Sequence, residues 1–219
     1  MTKRTFKEIS DSLDCDKTTY HMYDQVYPLF LESKREEAIR LLEIGLDEGK
    51  SVKIWKEYLP LATVIGVDIL DKSYFGTDIF YQADQSSWQD MCALAEQVSS
   101  VDVIIDDGSH VIPHQINTFE ALFPRCLAPG GVYIIEDIEC SYWKPGSSIY
   151  GYSTDGSSLL DYFSNTQHVV NSHMNTLENN LLIKSISYFQ NAIVIQKQNS
   201  SEVHRANSPY RFAFNIKEM

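Results

Sequence analysis

The sequence predicts an α/β fold, a doubly wound and mostly parallel sheet closed by a C-terminal antiparallel hairpin. Two observations carry this expectation. Between residues 40 and 137, short and almost continuously apolar runs alternate with helix-like stretches, the pattern of parallel strands buried on both faces. Near the end, the runs Ile183–Phe189 and Ala192–Gln196 are separated only by Gln190-Asn191, a turn whose asparagine accepts positive φ.

The elements follow in order. In residues 1–36, Tyr20, Tyr23, Tyr27, Phe30 and Leu31 recur at spacings of three and four, which predicts a helical stripe broken or kinked at Pro28. Ala38-Ile39 closes a helix. Leu41–Gly45 then reads as a buried strand ending at a glycine, and Ser51–Tyr58 as a helix with Val52, Trp55 and Leu59 on one side. Thr63–Asp68 is an apolar strand ending in an acid, and Phe80–Asp84 a weaker strand with the same ending. A helix around Ser87–Gln97 leads to Val101–Asp107, the most strand-like run in the chain, and a helix over 113–125 leads to Gly131–Asp137. The expected division is an N-terminal helical cap over 1–36, a core over 37–198 and a C-terminal tail over 199–219.

Composition narrows the function classes. The 219 residues, 43% apolar and 22% charged, fit one globular domain with an extension. No run of 18 apolar residues is present, and MTKRTFKEIS lacks the apolar core of a secretory signal. Eighteen basic against 30 acidic residues give a net charge of −12, which argues against partners held by phosphate neutralisation, nucleic acid and anionic membrane alike. Cys15, Cys92, Cys126 and Cys140 form no metal-ligand spacing, and a reducing, cytoplasmic setting is expected.

In open α/β sheets, ligands bind beyond the carboxyl ends of the strands. Here every expected strand ends in an acid or a glycine: Gly45, Asp68, Asp84, Asp106-Asp107 and Glu136-Asp137. The loop Glu43–Gly49 matches neither the GxGxxG fingerprint nor a P-loop. Its acids Asp47 and Glu48 would repel a polyphosphate and suit a zwitterion carrying an amino group and a sulfonium. Asp68 can accept both hydroxyls of a ribose or cap a helix, and Asp84 can meet an adenine amino group or sit in a surface turn.

Asp106-Asp107-Gly108-Ser109-His110 and Glu136-Asp137 carry more. Clustered carboxylates repel one another unless a cation or proton compensates, and an oxygen-rich set without cysteine favours Mg²⁺, Mn²⁺ or Ca²⁺ over zinc. His110 has the chemistry of a general base near neutrality. The structural alternative has Asp107 and Asp137 capping helices while His110 bonds a loop. His114 is expected on a helix surface, and Tyr142-Trp143 either wall a substrate pocket or pack as a lid. No GxSxG elbow is present.

The ExGxxxG loop, the acid at Asp68 and the closing hairpin resemble the class I S-adenosylmethionine-dependent methyltransferases. LLEIGLDEGKSVKIWKEYLP, VIIDDGSH, APGGVYIIEDIECSYW and the hairpin Tyr188-Phe189-Gln190-Asn191 resemble, within that class, the metal-dependent sugar O-methyltransferases of the mycinamicin and macrocin type, from about Asp16 to Lys197. The resemblance implies a seven-stranded Rossmann-like methyltransferase fold and an O-methyltransferase acting on a deoxysugar or glycan residue such as rhamnose. It further implies that Asp107, Glu136 and Asp137 hold Mg²⁺ or Mn²⁺, and that His110 takes the proton from the hydroxyl to be methylated. Glu43, Gly45, Gly49, Asp68, Asp84 and Asp106 fall to S-adenosyl-L-methionine, and Tyr142 and Trp143 to the acceptor. The segment with Asp16-Lys17 and His21–Tyr27 resembles the family's N-terminal cap. Asp47 departs from the glycine common at that loop position. A methyltransferase of catechol-type hydroxyls and a non-catalytic methyltransferase-fold module stay open as alternatives, as do the acceptor's identity and the oligomeric state.

Overall fold

The computed structural model describes residues 3–164, 166, 170 and 182–199. Its framework is a seven-stranded sheet. β1 (Arg40–Ile44), β2 (Thr63–Asp68), β3 (Ile79–Gln82), β4 (Val101–Asp106) and β5 (Leu127–Glu136) run parallel, and β8 (Ile183–Phe189) and β9 (Ala192–Lys197) form the closing hairpin. The strand order is β3-β2-β1-β4-β5-β9-β8, with β9 antiparallel to both its neighbours. Asn191 turns this hairpin at φ 59°, as its position in the sequence predicts. A separate two-stranded ribbon, β6 (Ser148–Ile149) with β7 (Tyr152–Ser153), lies outside the sheet.

Both faces of the sheet are covered, which is why its strands are apolar almost throughout. One face packs against α5 (Trp88–Val98), α6 (Ile112–Arg125) and α7 (Leu159–Ser164) through residues such as Met91, Phe119, Phe123 and Phe163. The other face packs against α4 (Lys50–Tyr58) and the N-terminal segment. That segment is not one amphipathic helix. It breaks into α1 (Phe6–Ser12), α2 (Asp16–Thr19), a 3₁₀ turn over Tyr23–Gln25 and α3 (Tyr27–Leu31), with Pro28 in the first turn of α3. Proline lacks the donor that a helix interior needs but fits its first turn. Tyr23, Tyr27 and Leu31 of the expected stripe are buried, whereas Tyr20 is exposed. Phe6, Tyr27 and Trp55 form an aromatic knot, Phe6 stacked on Tyr27 with centroids 5.0 Å apart and Tyr27 edge-on to Trp55 at 4.8 Å.

Three boundaries differ from the sequence reading. The turn before β1 is a 3₁₀ helix ending at Glu36, so Ala38-Ile39 closes no helix. β3 spans Ile79–Gln82, which leaves Asp84 in the loop beyond the strand. β5 begins at Leu127 rather than Gly131, because Leu127 pairs with Val101. The expected tail falls outside the described residues except for Asn199.

The register sets up the site. Ile44 lies beside Asp106, and Asp106 beside Ile135, so the residues leaving β1, β4 and β5 emerge abreast. The sheet order turns at β1 and β4, the place where a crevice opens in such folds. Gly45 makes the crevice possible. It adopts φ 85°, and a Cβ there would sit 1.9 Å from the Asp107 carbonyl oxygen. Gly45→Ala therefore meets backbone on top of the left-handed penalty of about 1–2 kcal/mol. A loss of about 2 kcal/mol or more is expected in urea denaturation.

Candidate functional site

A cavity of about 630 Å³ opens beyond the carboxyl ends of the strands. Its walls include Gly45, Asp68, Asp84, Asp107, His110 and Asp137. The Asp68 carboxylate accepts the backbone N–H groups of Leu46 at 3.0 Å and Leu70 at 2.9 Å, and Asp84 accepts that of Ser86 at 2.8 Å. Both acids thus brace their turns and also face the cavity.

Three of the residues assigned to the methyl donor lie outside the cavity wall. Glu43 is fully buried beneath the loop, where it accepts the Ser51 hydroxyl at 2.8 Å, and burial pushes its carboxyl up to about 7 against the charge of Lys17. Gly49 caps α4 at φ 72°, and a Cβ there would strike the Phe75 ring at 2.6 Å. Asp106, the last residue of β4, points into the protein and accepts Gln85 Nε2 at 2.6 Å and the Tyr133 hydroxyl at 3.2 Å. The reason is strand geometry: successive side chains leave a strand on opposite faces, so Asp106 and Asp107 cannot share one environment.

The same alternation separates Glu136 from Asp137. One ligand atom each from Asp107, His110 and Asp137 lie within 4.8 Å of one another, and Glu136 is not in this group. Asp137 swings into it by taking the left-handed conformation at φ 52°, which aspartate tolerates better than most residues. His110 is likewise left-handed at φ 58°, with Nε2 3.7 Å from Asp137 Oδ2. Asp137 Oδ1 is held by the Tyr23 hydroxyl at 2.6 Å and Asn191 Nδ2 at 2.9 Å, with His21 Nδ1 at 3.3 Å. The His110 Nδ1 atom is buried without a hydrogen-bond partner. Two carboxylates beside an imidazole with an unused nitrogen form a donor set that fits a divalent cation.

Glu136 turns instead toward the N-terminal segment. Both its oxygens accept from Lys17 Nζ at 2.8 Å, and the Tyr27 hydroxyl donates to it as well. Lys17 Nζ also donates to Asp107 Oδ2 at 2.6 Å and lies 3.9 Å from Glu43. Burial alone would lower the Lys17 ammonium, but the charges of Asp107, Glu136 and Glu43 outweigh it and hold the group above its ordinary range. Nothing in the local sequence separates this lysine from a surface one; only the resemblance marks its segment.

The aromatic assignments also change. Tyr142 is exposed, Trp143 packs against the core, and neither lines the cavity. Tyr150 and Tyr152, from the β6–β7 ribbon, line it instead. The Tyr150 ring lies 5.9 Å from that of His110. His114 is buried rather than on the surface: its Nδ1 is 2.8 Å from Ser109 Oγ, the Tyr152 ring meets it edge-on at 4.6 Å, and burial lowers its basicity. Gln85, which the sequence reading passed over, ties the floor together. Its Oε1 accepts the backbone N–H and hydroxyl of Ser109, both at 2.9 Å, while its Nε2 reaches Asp106.

No protein-family model matches the chain. It is 37% identical over 148 residues to the 8-demethyl-8-alpha-L-rhamnosyl tetracenomycin-C 2'-O-methyltransferase of Streptomyces olivaceus, covering 64% of this chain and 39% of that protein. It is 34% identical over 161 residues to the demethylmacrocin O-methyltransferase of Streptomyces fradiae, covering 69% of this chain and 40% of that protein. The chain thus spans about two fifths of the length of the curated relatives it matches. Its structure superposes on the MycE methyltransferase of mycinamycin biosynthesis, solved with Mg and SAH, with a TM-score of 0.78 and 25% identity, covering 90% of this chain and 55% of that one.

The sheet and its helices are therefore those of the Rossmann-like methyltransferase fold. Over part of their length, sugar O-methyltransferases of the mycinamicin, macrocin and tetracenomycin type are similar to this chain.

Burial pushes the Asp106 carboxyl up to about 7, with Gln85 and Tyr133 opposing the shift. A carboxyl raised in the folded state favours folding while protonated. Its ionisation disfavours folding progressively as pH rises from the unfolded value near 4 to the folded value near 7. Melting temperatures measured across that interval are expected to fall less steeply in Asp106→Asn than in the wild type.

Proposed function

We propose that the chain is an S-adenosylmethionine-dependent, Mg²⁺-dependent O-methyltransferase acting on a hydroxyl of a sugar. The observation that carries this reading is the convergence of Asp68, Asp84, Asp107, His110 and Asp137 on one cavity at the sheet's switch point. The relatives named for methylating rhamnosyl and macrocin acceptors, and the neighbour solved with Mg, SAH and mycinamycin VI, support the substrate class. We assign residues 1–36 to a cap over the site and residues 37–198 to the methyltransferase core, in a cytoplasmic enzyme.

Asp68 and Asp84, fixed by backbone donors, orient the ribose and adenine of the methyl donor, whose sulfonium supplies an electrophilic methyl carbon. Gly45 lets the loop approach that ligand closely. Asp107 and Asp137 hold the divalent cation, which when bound lowers the effective pKa of the acceptor hydroxyl. His110, whose Nε2 lies 3.7 Å from Asp137 Oδ2, takes the hydroxyl proton. Tyr150 and Tyr152 wall the acceptor side. Aligning two bound substrates contributes further through proximity.

In assays of methyl transfer to a rhamnosylated acceptor, His110→Ala should lower turnover by about 10²–10⁴-fold, the usual contribution of a general base. Its KM for S-adenosylmethionine should stay near the wild-type value. Persistent turnover would remove His110 from the role of base. Tyr150→Ala should raise KM for the acceptor while leaving that for the methyl donor unchanged.

A further inference from the structure

One cation already sits among the carboxylates, and the chain itself supplies it. Lys17 is buried, with Nζ 2.6 Å from Asp107 Oδ2 and 2.8 Å from each oxygen of Glu136. Asp107 is the shared member. The carboxylate that accepts from Lys17 also belongs to the Asp107–His110–Asp137 group. Glu136, which would complete a three-carboxylate set with Asp107 and Asp137, is occupied entirely by Lys17 and Tyr27.

An ammonium and a divalent cation on one carboxylate repel each other, and in a poorly solvated site that repulsion is weakly screened. Lys17 enters on α2, a single helical turn between two left-handed residues, Asp14 at φ 50° and Met22 at φ 57°. The same stretch grips the second carboxylate, because His21 and Tyr23 both reach Asp137 Oδ1. Residues 14–23 are thus fastened to both acids of the cation group.

We propose that Lys17 is a positioning residue that competes with the divalent cation for Asp107 and Glu136, so that cation binding and the seating of residues 14–23 are coupled. The inference rests on the cation reading above. Linkage makes the coupling reciprocal: the seated ammonium weakens cation binding, and the bound cation loosens the segment. Withdrawal of Lys17 frees Glu136 to join Asp107 and Asp137. The N-terminal segment then reports the state of the site.

The test is a Mn²⁺ titration followed by electron paramagnetic resonance on wild type, Lys17→Met and Lys17→Arg, with hydrogen exchange of residues 14–23 measured with and without Mn²⁺. Lys17→Met should bind Mn²⁺ about tenfold more tightly, within the span usual for coupled sites, while Lys17→Arg should stay close to wild type. Saturating Mn²⁺ should speed exchange in residues 14–23 of the wild type. Equal or weaker binding by Lys17→Met, with unchanged exchange in the wild type, would overturn the coupling and leave the cation site standing. If Lys17→Met does not fold, the wild-type exchange decides alone. Absence of Mn²⁺ binding in every form would overturn the cation reading and this inference together.

Discussion

Carboxylates from three neighbouring strands converge on one buried ammonium, and the rest of the site depends on that arrangement. Glu43 comes from β1, Asp107 from the end of β4 and Glu136 from β5, and Lys17 is the cation among them. Removing one partner of a buried ion pair typically costs about 3–5 kcal/mol, because the remaining charge stays desolvated. Lys17 and the Phe6–Tyr27–Trp55 knot both fasten the N-terminal segment to the rest of the fold.

The second constraint is the left-handed backbone that redirects side chains at the strand ends. A strand sends successive residues to opposite faces, and Asp106 and Glu136 accordingly point into the protein. Asp137 and His110 reach the cavity by adopting positive φ, and Gly45 clears space for the turn beside them. Strain of this kind gathers at functional sites because it holds groups where chemistry needs them. Tyr23, Asn191 and His21 fix one oxygen of Asp137, so the other remains directed at His110.

Much of this was legible in the sequence. Alternating apolar runs and strand-end acids identified the sheet and the end of it that carries the site, since both depend on local pattern. Asp68, Asp84, Asp107, His110 and Asp137 all line the cavity. Glu136 and Asp106 group with them in the sequence because adjacency along the chain conceals which face a side chain takes, and Glu43 and Gly49 join them only through the resemblance. Tyr142-Trp143 stood in for Tyr150 and Tyr152 because the β6–β7 ribbon has only two residues in each strand, too few for a periodic signal. Lys17 and Gln85 act through contacts across 119 and 24 positions of chain, and no local pattern encodes those.

The central claim is that the cavity at the switch point holds the methyl donor, with the cation on the acceptor side. Calorimetric titration of S-adenosylhomocysteine into the purified chain, once with Mg²⁺ and once with EDTA, tests it most directly. Micromolar binding in both conditions is the expected result, because the residues proposed to hold the donor, Gly45, Asp68 and Asp84, are not among the cation group Asp107, His110 and Asp137. No binding in either condition would contradict the account.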